Sequence, residues 1–126
     1  VLLVNEYSAS DGDLFPYRFK YNHLGTIIGR RTWDGVVGYS GSIRVVDGGS
    51  IVTPSYAPFA ADGSEFIIEG TGVTPHVDIE NDPYLEYKGE DQQLNKAIQV
   101  ILEKLKTEKN EIPPIPAFPN KAAKKK

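Results

Sequence analysis

The stretch "VLLVNEYSASDGDLFPY", residues 1–17, decides the fold. "VLLVN" is a short continuous apolar run ended by a turn former, which reads as a buried strand. From Ser10 the period changes. Leu14, Tyr17, Arg18 and Tyr21 recur at helical spacing, and Asp11 and Asp13 fall in the presumed first turn, where the helix dipole favours acids. Pro16 works mildly against the helix, and Gly25 of "NHLGT" is its expected stop. The pattern predicts a strand, a tight small-residue turn and a helix that begins at a serine.

Ser10 has two readings at this stage. A hydroxyl at a helix N-terminus lies beside free N–H groups able to stabilise an oxyanion, so Ser10 is a physically sensible nucleophile. The same geometry is an ordinary N-cap, with Asp13 answering three residues later.

Further along, "TIIG" (26–29) is a second strand, and "RRTWDGVVGYSGS" (30–42) is a glycine-rich loop of neither period. "IRVV" and "SIVTP" flank "DGG" (47–49), a strong hairpin signal, and "DG" at 62–63 repeats the device before "EFIIE". "TGVTPHVDIEND" is extended and turn-rich. Leu94, Ala97, Ile98, Ile101, Leu102 and Leu105 form one face of a closing helix, with Lys96, Glu103, Lys104 and Lys106 opposite. This is a C-terminal docking helix. "NEIPPIPAFPNKAAKKK" has no periodicity and carries four of the nine prolines, so residues 110–126 are expected to form a tail beyond a globular unit of residues 1–109.

The 126 residues suit one small domain, and 40% hydrophobic content suffices for a core. No apolar run approaches the ~18 residues a membrane-spanning helix needs. With no cysteine, disulfides, thiol catalysis and thiolate metal sites are excluded. The net charge of −3 conceals four lysines in the last six residues, which leave residues 1–120 with ten basic against seventeen acidic side chains. Such a body repels a phosphate backbone and argues against a nucleic-acid partner. Because the chain opens at Val1 inside a strand pattern, it is read as a fragment, a mature form or an excised domain.

A serine nucleophile needs a base. His23 lies at the far end of the helix that Ser10 starts, roughly 20 Å away at ~1.5 Å per residue, and cannot reach. His76 stands in an unplaced loop and has two readings, a base brought to Ser10 by the fold or, more commonly, a surface histidine. The pair is too sparse for a metal site. Glu69 ends "EFIIE" and precedes "GTG", placing a carboxylate where a strand meets a glycine turn; it suits either a catalytic relay or simple solvation. "GRRTWDGVVG" lacks the glycine spacing and following "GK[ST]" of a phosphate loop, and "DIENDP" lacks calcium-loop spacing. Arg30 and Arg31 are expected to pair with nearby acids.

Taken together, "NEYSASDGDLFPY", "LGTIIGRRTWDGVVG", "VDGGSIVTP", "IEGTGVTPHVDIENDP" and "GEDQQLNKAIQVILEKLK" resemble the C-terminal part of the catalytic domain of tricorn-type serine peptidases, relatives of the C-terminal-processing (tail-specific) peptidases. The resemblance runs in order from Val1 to about Lys106. It implies a partial crotonase/Clp-protease-like α/β fold. It also implies that Ser10 of "SDGD" is the nucleophile while Ser8 belongs to the turn, that the Asp11 N–H is one oxyanion donor, and that Glu69 belongs to the catalytic relay.

The processing branch takes a lysine as base where this chain has Gly35, so a serine–lysine dyad is not expected. The tricorn branch implies an upstream histidine and an upstream second oxyanion donor, so the chain alone is expected to be inactive. Two departures stand out: Asp34 where the subfamily usually has "WGG", and "SA" at 8–9 where "AG" is common. The resemblance further implies a peptide or unfolded polypeptide substrate, no cofactor, homo-oligomeric assembly, and a cytoplasmic location, with export as the alternative. The competing function is a non-catalytic ligand-binding or assembly module of the same fold.

Overall fold

Two short apolar runs, β1 (Leu2–Val4) and β2 (Ile27–Gly29), pair in parallel, with Leu2 opposite Ile27 and Val4 opposite Gly29. Parallel neighbours cannot be joined by a tight turn, so the chain between them must cross over, and it does so as a helix, α1 (Asp11–Tyr21). The structure is a computed structural model that describes residues 1–108 and 112–119. β3 (Gly38–Arg44) and β4 (Ser50–Tyr56) form an antiparallel hairpin, and β5 (Val77–Asp78) adds in parallel to the free side of β2. α2 (Pro83–Tyr87) and α3 (Gln92–Thr107) follow, and α3 packs on β1 and β2. Helix and strand are thus mixed as the opening stretch predicts, and the closing helix contacts β1 and β2 with Ala97 buried, while Leu94, Ile98, Ile101, Leu102 and Leu105 stay 43–58% exposed.

The core gathers Val4, Ile27, Val36, Ile68 and Val73, with Leu2, Leu14, Tyr17, Phe19 and Ile67 packed against it. Its members come from the two parallel strands, the 32–37 loop and the 67–73 turn. The segments that carry the candidate site are therefore also those that close the core.

Several expectations change. α1 continues through Pro16 and ends at Tyr21, before Gly25. The left-handed stop is His23 (φ 53), with Leu24 N–H donating to Phe19 O and His23 N–H to Lys20 O, a Schellman ending. The glycine-rich stretch is a loop only to Val37, because β3 begins at Gly38 and extends the hairpin around "DGG". The second turn at 62–63 makes one antiparallel bridge, Phe59 to Phe66, rather than a pair of strands. α2, which the sequence did not suggest, is capped by Asp82, whose carboxylate accepts from Tyr84 and Leu85 N–H. No helix among the described residues is long and apolar enough to cross a membrane. The lysines at 121 and 124–126 lie outside the described residues.

Candidate active site

β1 delivers the chain into a tight turn at residues 5–8. Ser8 N–H donates to Asn5 O (2.9 Å) and Ser8 Oγ accepts from Asn5 N–H (3.1 Å), so the Ser8 hydroxyl is occupied in the turn. Ser10 stands at the N-cap of α1, exposed, with φ 56 and ψ −108. Its carbonyl begins the helix by accepting from Asp13 (2.9 Å) and Leu14 (3.0 Å) N–H, yet its side chain makes no capping hydrogen bond. The capping-box reading fails here: the hydroxyl is free and Asp13 turns elsewhere. The Asp11 N–H beside it has no acceptor among the described residues. A non-glycine residue in this backbone region costs ~1–3 kcal/mol and persists only when its surroundings over-determine it.

Glu69 does not end a strand. Glu69 N–H donates to Ile67 O (2.9 Å) around Ile68 at φ 75, a γ-turn of the rare, strained hand. A β-branched residue there is an outlier, held because its side chain is buried (4% exposed) in the core. Thr71 and Gly72 N–H both donate to Ile68 O (2.8 and 2.7 Å), closing the turn. The Glu69 carboxylate then reaches across the chain, where Oε2 accepts from Val36 N–H (2.7 Å) and Val37 N–H (2.9 Å). Oε1 has no partner among the described residues.

The 32–37 loop joins the two turns. Trp33 N–H donates to Ser8 O (3.0 Å), and Thr32, buried, exchanges hydrogen bonds with Val73 through its backbone N–H (3.2 Å) and Oγ1 (2.8 Å). Asp34, at φ 90, receives Gly70 N–H on its carbonyl (2.9 Å) and donates its own N–H to Asp13 Oδ1 (3.0 Å). Arg31 Nη1 bridges Asp34 Oδ2 (2.8 Å) and Thr71 O (3.2 Å). Arg30 pairs with Asp78 (2.9 Å), so both arginines find the acids expected of them. Asp13, Asp34 and Arg31 were not singled out by the sequence as site residues. Asp13 carried the signal of an ordinary first-turn acid, and only the "DG" at 34–35 hinted at a left-handed residue.

Neither histidine serves Ser10 in this structure. His23 terminates α1 at its far end. His76 Nδ1 accepts from Ile27 N–H (2.9 Å) while His76 N–H donates to Ile27 O (2.9 Å), which ties it to β2. Lys20, on the same helix as Ser10, donates to Thr74 O (2.8 Å). No group of three or more His, Asp or Glu side chains among the described residues could hold a metal ion. A groove of ≈ 340 Å³ lies between α1 and the 57–67 segment, walled by Leu14, Tyr17, Tyr21, Phe59 and Ile67, with Arg18 also lining it.

The model of Peptidase family S41 matches residues 1–79. The tricorn protease of Thermoplasma volcanium is 46% identical over 113 residues, 90% of this chain and 11% of that protein. A putative tricorn-like protease C-terminal subunit of Sulfurisphaera tokodaii is 39% identical over 105 residues, 83% of this chain and 12% of its own length. Among solved structures, the tricorn protease superposes with a TM-score of 0.74 at 39% identity, covering 83% of this chain and 10% of the other. Mature CPAF superposes at 0.68 with 27% identity, covering 87% and 21%. The chain thus spans about a tenth of the length of the curated relatives it matches.

Proposed function

The chain belongs to peptidase family S41, and on that premise we propose that it carries the nucleophile and relay glutamate of a serine peptidase. The observation that bears most weight is Ser10 itself: a strained, exposed residue whose hydroxyl, like the neighbouring Asp11 N–H at the helix N-terminus, has no hydrogen-bond partner among the described residues. In this reading Ser10 Oγ attacks the scissile carbonyl, its proton passes to a base, and the acyl-enzyme that remains is hydrolysed by water. The Asp11 N–H donates to the oxyanion, a contribution of ~10²–10³ in turnover for one donor. Glu69 holds the 36–37 backbone with Oε2 and presents Oε1 to the relay, steadying the charge that forms on the base. His23 stands beyond the far end of α1 and the His76 imidazole is bonded to Ile27 N–H, so the base comes from outside this chain. The substrate is a peptide or unfolded polypeptide.

The finer architecture belongs to the same proposal. Residues 1–109 are the C-terminal part of a crotonase/Clp-protease-like catalytic domain and 110–126 its tail. The parent is a homo-oligomer, and the tricorn resemblance implies a cytoplasmic location.

The test is a Ser10→Ala substitution in the full-length parent, assayed by peptide hydrolysis and by fluorophosphonate labelling. Loss of both, with unchanged folding, is the expected result. Retained hydrolysis would discard Ser10 and favour the binding-module reading. The isolated 126-residue chain is expected to leave the probe unreacted, and strong labelling at Ser10 there would show that no outside base is needed.

A further inference from the structure

We propose that Asp13 and Asp34 are positioning residues that set the Ser10 turn against Glu69; the proposal rests on the reading of those two residues as nucleophile and relay acid. Asp13 lies three residues after Ser10 on α1, and its Oδ1 takes the Asp34 N–H (3.0 Å). The Asp34 carbonyl takes the N–H of Gly70 (2.9 Å), the residue after Glu69. The Asp34 carboxylate holds Arg31, whose Nη1 also reaches Thr71 O (3.2 Å). One residue therefore links the nucleophile helix to the relay turn through its backbone and its side chain alike.

Two unfavourable features coincide at this joint. Asp13 is 0% exposed, and its second oxygen, Oδ2, is buried with no hydrogen-bond partner among the described residues. A buried acceptor left unpaired costs ~1–3 kcal/mol, so an apolar side chain of similar shape would serve packing better. Asp34 sits at φ 90, where a glycine would be unstrained. A carboxylate kept at a loss to stability, bonded to a strained residue, has its explanation in what it aligns. Misplacing reacting groups by ~1 Å can cost ~10²-fold in rate.

The experiment uses the full-length parent with Asp13→Asn and Asp13→Leu, each made in the parent and in a Glu69→Gln background. It reads kcat, KM, Ser10 labelling rate and Tm. Asn keeps the Oδ1 acceptor and should retain about a third or more of kcat, whereas Leu should lower kcat ~10–100-fold with KM changed by less than about threefold. In the Glu69→Gln background the effect of Asp13→Leu should shrink to within about threefold, because the two substitutions disable one unit. Equal losses in both backgrounds, or an Asp13→Leu variant as active as the parent, would overturn the proposal. Should Asp13→Leu prevent folding, Asp34→Gly replaces it: the backbone bonds stay, the Arg31 pair goes, and kcat should fall only where Glu69 is intact. Hydrolysis that survives Ser10→Ala would instead bring down the underlying assignment.

Discussion

The cradle around Ser10 and Glu69 and the β3–β4 hairpin adjoin in the chain, since Val37 donates to Glu69 and β3 starts at Gly38. They are held in opposite ways. The hairpin's ladder runs between its own two strands, almost every residue from Gly38 to Tyr56 is exposed, and left-handed backbone falls only on glycines, Gly41 and Gly48. In the cradle the hydrogen bonds join distant residues, Asp13 to Asp34, Val36 to Glu69 and Thr32 to Val73. Left-handed backbone there falls on Ser10, Asp34 and Ile68 as well as on glycines. A segment held by itself must obey its own conformational preferences. One held by several distant partners can be forced against them, and strained residues of that kind cluster at functional sites.

The strongest way to break this contrast is Glu69→Ala, which removes both the carboxylate proposed for the relay and the anchor of Val36 and Val37 N–H. Peptide hydrolysis should fall by ~10²–10³ in kcat, the scale of a lost electrostatic contact to the transition state. Glu69→Gln keeps an acceptor for the loop and should restore thermal stability without restoring kcat. If Gln recovers turnover as well, Glu69 is only an anchor and the cradle is structural.

A smaller effect is expected at Gly72. A Cβ there would lie 2.7 Å from Thr32 O and 2.9 Å from Arg31 Nη1, at φ 65. The carbonyl is backbone and cannot swing aside, so Gly72→Ala should destabilise by about 2 kcal/mol, the sum of a close contact and a left-handed alanine. The matching change at Gly48, where an added Cβ meets nothing, carries only the backbone term and should cost about half as much. Denaturant midpoints of the two variants measure the difference directly. Equal shifts would mean that the cradle is no more constrained than the hairpin.

The same contrast explains what the sequence could reveal. β1, β2, the start of α1 and the face of α3 follow from local periodicity, and those elements lie where the spacing puts them. The place of Ser10 at the turn into α1 was legible for that reason, since strand, turn and helix are all local signals; the roles proposed for Ser10 and Asp11 came from the family resemblance. His23 ends α1 because Leu24 and His23 N–H find Phe19 and Lys20 carbonyls, although Gly25 is the better left-handed residue by composition. The turn at Ile68 was invisible, since an isoleucine argues for a strand and only its burial beside Val36 and Val73 overrides that. Asp13 looked like a dipole-favoured acid because its partner, Asp34, stands 21 residues away. What stayed hidden was the long-range bonding, and that bonding builds the site.

α3 offers an intermediate case, a local element tied to a neighbouring segment. Asp91 caps it by accepting from Leu94 N–H (2.9 Å) and also takes the Asn81 amide (3.0 Å). The Leu94 N–H first, then the Asn81 amide, favour the ionised carboxylate and lower its pKa from 3.8. The stability this contributes is complete above the unfolded value and fades as pH falls through the lower folded one. Asp91→Ala should cost ~1 kcal/mol at neutral pH. Asp91→Asn should keep most of the cap while flattening the pH dependence of the urea midpoint below about pH 4. An Asn variant with the parent's acid sensitivity would place that sensitivity elsewhere.

The smallest effect is expected at the hairpin tip. Val46 is fully exposed beside the "DGG" turn, and its side chain has no place in the core. Val46→Lys should therefore change stability by less than about 0.5 kcal/mol, as surface substitutions usually do. It should also leave Ser10 labelling in the parent unchanged, because the hairpin passes no hydrogen bond back to the cradle beyond its first residues. The lysine would replace a fully exposed apolar side chain with a charge, so solubility should rise if anything moves at all. A clear fall in labelling would mean that the tip touches the reacting groups in the assembled protein. The hairpin would then have to be counted with the site rather than against it.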